Sequence, residues 1–349
     1  MTFLLRQVFQ PNGLRGSLIS LTAPLRTFKR WVAPTLVEMK RRKQKMGPQP
    51  IPRRSSFLEW NYAAELYAFG KRLNEDFEDN LLKQALTHKS YLEEEIKRQK
   101  EVGIEDVQLT LKDNSELIEE GEKFMTSYIK GYLRIMLPRF PEEGICAVHD
   151  YLMTNEVLAH VSSHIGTKDL LLCAEHPPTE ATLSNTLKAL VGALLRGEDD
   201  KEEAFARAGG LVHDLVITQL AGRDLNELWV GIEGNAIATL AAVLHRDGRG
   251  PPEPRLLYET GPTTILASYA VGLYSDKEMV GFGFGENVEI AQDMAARDAL
   301  KRLFHTRDNM RPLPFNQQPS SNHVMQMTDK PNISMDNWAM SGLKNIVKY

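Results

Sequence analysis

From residue 60 to about residue 220 the apolar residues of this chain recur, segment after segment, at the period of an amphipathic helix, and this constrains the fold more than any other feature. The segments are 62–73, 81–91, 117–137, 144–152, 156–165, 183–195 and 202–220, and Pro138, Gly166, Pro177, Pro178 and Gly197 punctuate them. The clearest is 183–195. There Leu183, Leu187, Leu190, Val191 and Leu194 fall within one stripe about 100° wide, with Asn185, Lys188 and Gly192 grouped on the opposite, solvated face. The reading is an all-helical domain over 60–222.

Beyond residue 222 the pattern changes. A helix is expected over 225–244, then a Gly/Pro/Arg loop at 247–252, and then a strand in which Ile265, Ala267, Tyr269, Val271 and Leu273 alternate with more polar neighbours. A turn at Ser275-Asp276-Lys277, a returning strand over 279–284 and a closing helix over 288–303, lined by Ala291, Ala295, Ala299 and Leu303, complete a small α+β module spanning 223–305. Gly283 and Gly285 read as turn residues needing positive φ, since a lone G-x-G is weak evidence for a nucleotide loop. Residues 306–349 carry Pro, Asn, Gln, Ser and Met without a sustained period. They are expected as an extended tail, ordered only against a partner.

At 349 residues, 42% hydrophobic and 25% charged, the chain is able to bury a large core. No apolar run reaches the ~18 residues a membrane-spanning helix needs. Cys146 and Cys173 lie too far apart in sequence for a metal knuckle and argue against a disulfide scaffold, so a reducing compartment is expected.

The net charge of −4 hides an asymmetry: residues 1–55 hold twelve Lys or Arg and one acid, Glu38, so this segment carries +11 and the remainder −15. Residues 1–33, with Arg6, Arg15, Arg26, Lys29 and Arg30 among Leu, Phe, Ser and Thr, read as a mitochondrial transit peptide. Residues 34–59 follow as a basic extended arm. In it Lys40, Arg41, Arg42, Lys43, Lys45, Arg53 and Arg54 are candidate RNA-binding residues, because an extended cationic segment lies readily along phosphates.

The helical segments also carry motifs. Residues 183–195 resemble the second signature of the ribonuclease III family, A-D-x-x-E-A-L-I-G-A, in which the Asp and Glu hold magnesium. The resemblance places Asn185 and Lys188 at those two positions. An amide is a poor hard-cation ligand, and an ammonium ~4 Å from a divalent ion opposes it by roughly 8 kcal/mol at an effective dielectric of ~20.

Residues 114–125 resemble the first signature, N-E-R-L-E-F-L-G-D-A-V-L, anchored by Asn114, Leu117 and Gly121, and its two acids fall on Ile118 and Glu122. Shifting by one residue restores an E-x-x-E at Glu116 and Glu119 but sets Lys123 where the family has Asp. Periodicity alone makes Ile118 a core residue and Glu122 a surface acid. Residues 81–91 resemble the L-x-x-A-L-T-H-x-S-Y run that opens the same fold, and His88 within it is assigned to packing. Two-metal hydrolysis needs carboxylates clamping two ions ~3.5–4 Å apart, so the resemblance implies a ribonuclease III scaffold with a degenerate site, no catalytic residue, no metal and no cofactor.

The order of elements in 223–305, with its P-x-x-x-Y and G-P markers, resembles a double-stranded RNA-binding domain. Such a domain places lysines of its last helix on phosphates across the major groove. Here that run reads Gly283-Phe284-Gly285-Glu286-Asn287-Val288-Glu289-Ile290-Ala291-Gln292, and the G-P-x-H histidine is Thr264. Glu286 and Glu289 repel phosphate, so duplex binding through this surface is not expected.

The sequence of parts resembles a branch of the ribonuclease III family built into the large subunit of the mitochondrial ribosome. That resemblance implies a structural protein of the mitochondrial matrix with rRNA and other large-subunit proteins as partners. Two other readings are an endoribonuclease with a metal site rebuilt from Glu116, Glu119, Glu120 and Glu122, and a free RNA-binding partner of an active nuclease. The missing acids argue against the first. The negative body argues against the second.

Overall fold

A computed structural model describes residues 23–47, 52–103, 111–198, 200–229, 235–307, 313–315 and 318–340, with side chains from residue 34 onward. The chain forms two compact units, Met1–Pro52 and Arg53–Tyr349. Residues 1–22, most of the expected leader, lie outside the described residues. The first unit contains helix α1 (Ala23–Lys45). The arm expected to be extended is therefore helical through Lys45. The run from Leu36 to Lys45 has no glycine and is rich in Leu, Met, Lys, Arg and Gln, all good helix formers, and Glu38 pairs with Arg42 one turn on at 3.4 Å.

In the second unit the helical segments appear as α2 (Tyr62–Leu73), α3 (Asp79–Ala85), α4 (Lys89–Glu101), α5 (Ser115–Met136), α6 (Glu142–Leu152), α7 (Asn155–Ile165), α8 (Thr167–Leu170), α9 (Glu180–Arg196) and α10 (Lys201–Leu215). Local chemistry sets their ends. Asn61 caps α2 by accepting from Ala64 N, Thr179 caps α9 by accepting from Thr182 N at 3.3 Å, and Gly166 ends α7 in the left-handed region at φ 95°.

The single helix expected over 81–91 is broken in two. Leu86-Thr87-His88 leaves the helix to pair with Leu172, His88 N donating to Leu172 O and Leu172 N to Leu86 O, both at 2.9 Å. His88 then caps α4, its Nδ1 accepting from Ser90 N at 3.2 Å. A pairing partner distant in sequence thus overrides the local period.

Helix α9 is the centre of the domain, buried on nearly every side. The face holding Lys188 and Gly192, expected to be solvated, instead packs against α5. The two backbones cross so closely that a Cβ at Gly121 would sit 1.9 Å from Lys188 O, and one at Gly192 would sit 2.2 Å from Leu117 O. Only glycine allows that approach.

The C-terminal module consists of α11 (Ala236–Arg246), strands β1 (Glu253–Thr260), β2 (Ser268–Ser275) and β3 (Glu278–Gly285), and α12 (Val288–Phe304). The strands form one antiparallel sheet in the order β1-β2-β3. Helix α11 begins later than expected, 225–228 forming turns. Strand β2 starts at Ser268, leaving Ile265 fully exposed ahead of it. Strand β1 was not foreseen because all eight of its residues are exposed, so no alternation marks it. Gly283 and Gly285 lie within or at the end of β3 rather than in a turn, and neither has positive φ. They admit α12: a Cβ at Gly283 would lie 2.3 Å from Ala295 N.

The described part of the tail expected to await a partner is folded onto the chain's own body. Helix α13 (Ser321–Thr328) packs on α5, where a Cβ at Gly131 would be 2.8 Å from Val324 O, and Trp338 is 1% exposed. One hydrophobic core runs from α5, α6 and α9 through Trp229 and α11 to α12, Val324 and Trp338.

Candidate functional site

The positions marked by the two signatures meet where α5 crosses α9. Glu122 projects from α5 toward Lys188 of α9, whose Nζ donates to Glu122 Oε1 at 2.8 Å. The Lys188 side chain is 9% exposed and Glu122 51%, so the lysine stem is buried in the helix crossing while its head reaches the rim. Ile118, one turn before Glu122, is half-buried and packs against the cluster that includes Leu66, Phe69 and Leu82. Asn185 is half-buried on α9. Of the four marked positions, then, two form an ion pair, one belongs to the core and one is an amide. Sequence periodicity had placed Ile118 and Glu122 correctly.

The remaining acids of α5 are also paired. Arg196, in the last turn of α9, donates from Nε and Nη2 to both carboxylate oxygens of Glu120 at 2.7 Å and from Nη1 to Glu116 at 3.0 Å. The hydrogen bonds it donates to Glu120 and then to Glu116 push the guanidinium further up from its already high pKa. Glu119 lies 2.6 Å from Lys123, whose hydrogen bond holds its carboxyl below the usual range. Among the described residues no cluster of three or more His, Cys, Asp or Glu is placed to hold a metal ion. Arg196 escaped the sequence reading, since its role depends on where α9 ends relative to α5.

The basic residues fall into two settings. Lys40, Arg41, Arg42, Lys43 and Lys45 are exposed on the last turns of α1, where cations also complement the helix dipole. Arg53 and Arg54 are not part of a free arm. Arg53 Nη2 donates to Ala174 O at 2.5 Å, and Arg54 lies over the Trp60 ring at 5.7 Å within 3.5 Å of both Glu65 and Asp169. At the start of α12, Glu286, Val288 and Glu289 are all exposed.

The tail is held by a second polar cluster, missed in the sequence. Arg134 on α5, 7% exposed, forms a two-pronged pair with Glu142, at 2.5 Å from Nη2 and 3.2 Å from Nε, while its Nη1 donates to Met327 O at 3.0 Å and to Thr328 O. Glu142 also accepts from Asn332 N at 2.8 Å, and Asn332 Nδ2 donates to Leu137 O and Phe140 O. Trp338 Nε1 donates to Arg139 O at 2.8 Å, and its ring meets Phe304 edge-on at 5.1 Å.

The close α5–α9 crossing within a helical domain, followed by a helix-sheet-helix module, defines a ribonuclease III-type domain joined to a double-stranded RNA-binding-type domain. Residues 61–194 match the family profile described as large ribosomal subunit protein mL44, endonuclease domain, and residues 234–339 match that of the MRPL44 dsRNA-binding domain. A Caenorhabditis elegans protein named large ribosomal subunit protein mL44 is 32% identical over 99% of this chain and 85% of its own length. Proteins named Ribonuclease 3 from Enterococcus faecalis and Symbiobacterium thermophilum are 26% and 27% identical over 64% and 66% of this chain, each covered to 90%. The chain belongs to the mL44 family of large ribosomal subunit proteins.

Proposed function

We propose that this chain is a structural constituent of the large subunit of the mitochondrial ribosome, contacting rRNA and neighbouring proteins and cleaving no RNA. The observation that carries the reading is the extent of similarity: the ribosomal relative matches almost end to end, whereas the two ribonucleases match about two thirds of the chain. The Lys188–Glu122 pair supports the absence of catalysis. A cation occupies the rim of the helix crossing where hydrolysis would need anionic oxygen ligands.

The leader over 1–33 directs the chain to the mitochondrial matrix, a reading supported by its five Arg and Lys and by the absence of an acid before Glu38. Contact with rRNA runs chiefly through Lys40, Arg41, Arg42, Lys43 and Lys45, which stand exposed on α1, with Arg53 and Arg54 at the body's surface. Two measurements test the reading. Sedimentation of mitochondrial lysate should place the chain with the large subunit. Purified protein with magnesium or manganese should leave double-stranded RNA intact. Metal-dependent cutting abolished by Glu122→Ala would establish instead a nuclease with a rebuilt site.

A further inference from the structure

The register of the sheet separates two faces. Gly281 and Gly283, with Leu273 and Val271 opposite them, look toward α12, because a Cβ at either glycine would strike the Ala295 backbone. Phe282 and Phe284 look the other way, with Gly272 and Ala270 across from them on β2. Tyr258 on β1 pairs with Ala270 and so shares that outer face. Leu257, at a bulge, reaches over Gly272, where an added Cβ would lie 3.3 Å from Leu257 Cδ1.

These side chains form one surface. The rings of Phe282 and Phe284 meet edge-on at 4.6 Å, and Tyr258 lies 6.3 Å from Phe284. Tyr258 is 55% exposed, Phe284 52% and Leu257 42%. A contiguous aromatic and aliphatic sheet face of this kind marks an interaction site more often than isolated exposed apolar residues do.

Charge selects the partner. Residues 253–290 contain six acids, Glu253, Glu259, Asp276, Glu278, Glu286 and Glu289, against two bases, Arg255 and Lys277. Arg255 is already engaged, 3.0 Å from Glu253 and 4.8 Å above the Tyr274 ring, and Arg249 takes up Glu278 at 2.6 Å, which leaves Glu259, Asp276, Glu286 and Glu289 against Lys277. A phosphate backbone is repelled by such a rim, whereas lysines or arginines around an apolar centre complement it. Geometry selects the mode. The free edge of β1 carries Pro254 and a bulge between Leu256 and Tyr258, both of which oppose addition of another strand.

We propose that the outer face of this sheet docks the apolar side of a basic segment belonging to a neighbouring protein of the large subunit, so that a module of RNA-binding ancestry here binds protein. The proposal rests on the ribosomal reading above. The test uses full-length chain carrying the photo-cross-linker benzoylphenylalanine in place of Tyr258, incorporated in mitochondria, with large subunits isolated and irradiated. The expected product is a cross-link to one ribosomal protein, mapping to apolar residues flanked by Lys or Arg. With the probe moved to Leu257, Phe284→Glu should lower the yield about tenfold, as loss of a central apolar contact does. Phe284 is half-exposed, so an unchanged melting temperature will separate lost docking from lost folding.

Cross-linking to rRNA, to a second copy of this chain, to its own residues, or to a protein site without basic residues would overturn the proposal. So would a yield no higher than with the probe at exposed Lys277. Absence of the chain from the large subunit would defeat the ribosomal reading and this proposal with it, whereas presence without the cross-link defeats this proposal alone.

Discussion

Lys188 satisfies Glu122 from a buried stem, and that asymmetry decides what its replacement does. Glu122 is half-exposed and is able to turn to water, so Lys188→Met, which keeps an apolar stem, should change stability by less than about 1 kcal/mol. Lys188→Glu sets a second carboxylate against the first at the edge of the core and should cost about 2 kcal/mol. Denaturant unfolding of both variants checks the order; a larger loss for the Met variant would contradict it. His149 gives a pH-dependent counterpart. Burial pushes its imidazole below the ordinary 6.5, Asp150 opposing through a 2.9 Å contact, and its Nε2 is buried without a hydrogen-bond partner. Folding therefore favours the neutral ring, so its contribution is complete above pH 6.5 and declines as pH falls through the interval below. Unfolding free energy measured at pH 7.5 and 5.5 should show this loss, and His149→Gln should reduce it. At this scale helical period fixed the face of Ile118 and Glu122 but set Lys188 on a solvated face that the structure buries against α5. The ion pairs were not legible in the sequence, since they depend on which helix lies opposite.

Two elements carry distinct tests. The α5–α9 crossing depends on glycine at both contact points, and at Gly121 an added methyl would meet a backbone oxygen that has no rotamer by which to move away. Gly121→Ala should therefore cost at least the ~1–3 kcal/mol typical of overpacking. A chemical midpoint equal to that of the parent protein would show that the helices separate at little cost. Helix α1 concentrates the exposed positive charge, and each phosphate contact contributes about −0.9 to the slope of log affinity against log salt on a duplex. Replacing Arg41, Arg42, Lys43 and Lys45 by Gln should flatten that slope for rRNA fragments and weaken incorporation into the large subunit. Replacing Glu289 or Gln292 at the start of α12 should do much less. Elements with one buried face, such as α5, were readable from their periodicity. Strand β1 has no buried face and left no such mark, and the α3–α4 break came from a pairing with Leu172 that no local pattern announces.

On the scale of the whole second unit, the tail joins the helical domain to the sheet module. Trp338 packs on Phe304 of α12, Phe304 packs on Phe140 at 5.9 Å, and Arg246 of α11 donates to Trp338 O at 3.0 Å. Trp338→Ala should cost about 3–5 kcal/mol through the cavity it leaves, and limited proteolysis should then cut near residues 306–320 well before it cuts α9. Equal protection with and without the indole would show that the tail is held by its backbone alone. By itself the sequence determined the helical class of the first module and the order of the two modules, because period and residue chemistry are local properties. Only the tertiary structure decided that Lys188 answers Glu122, that Arg196 gathers Glu116 and Glu120, and that the described residues of a tail without any period fold back on their own chain. Those outcomes depend on which surfaces meet across long stretches of sequence, where a partner is chosen by shape and charge in space rather than by spacing along the chain.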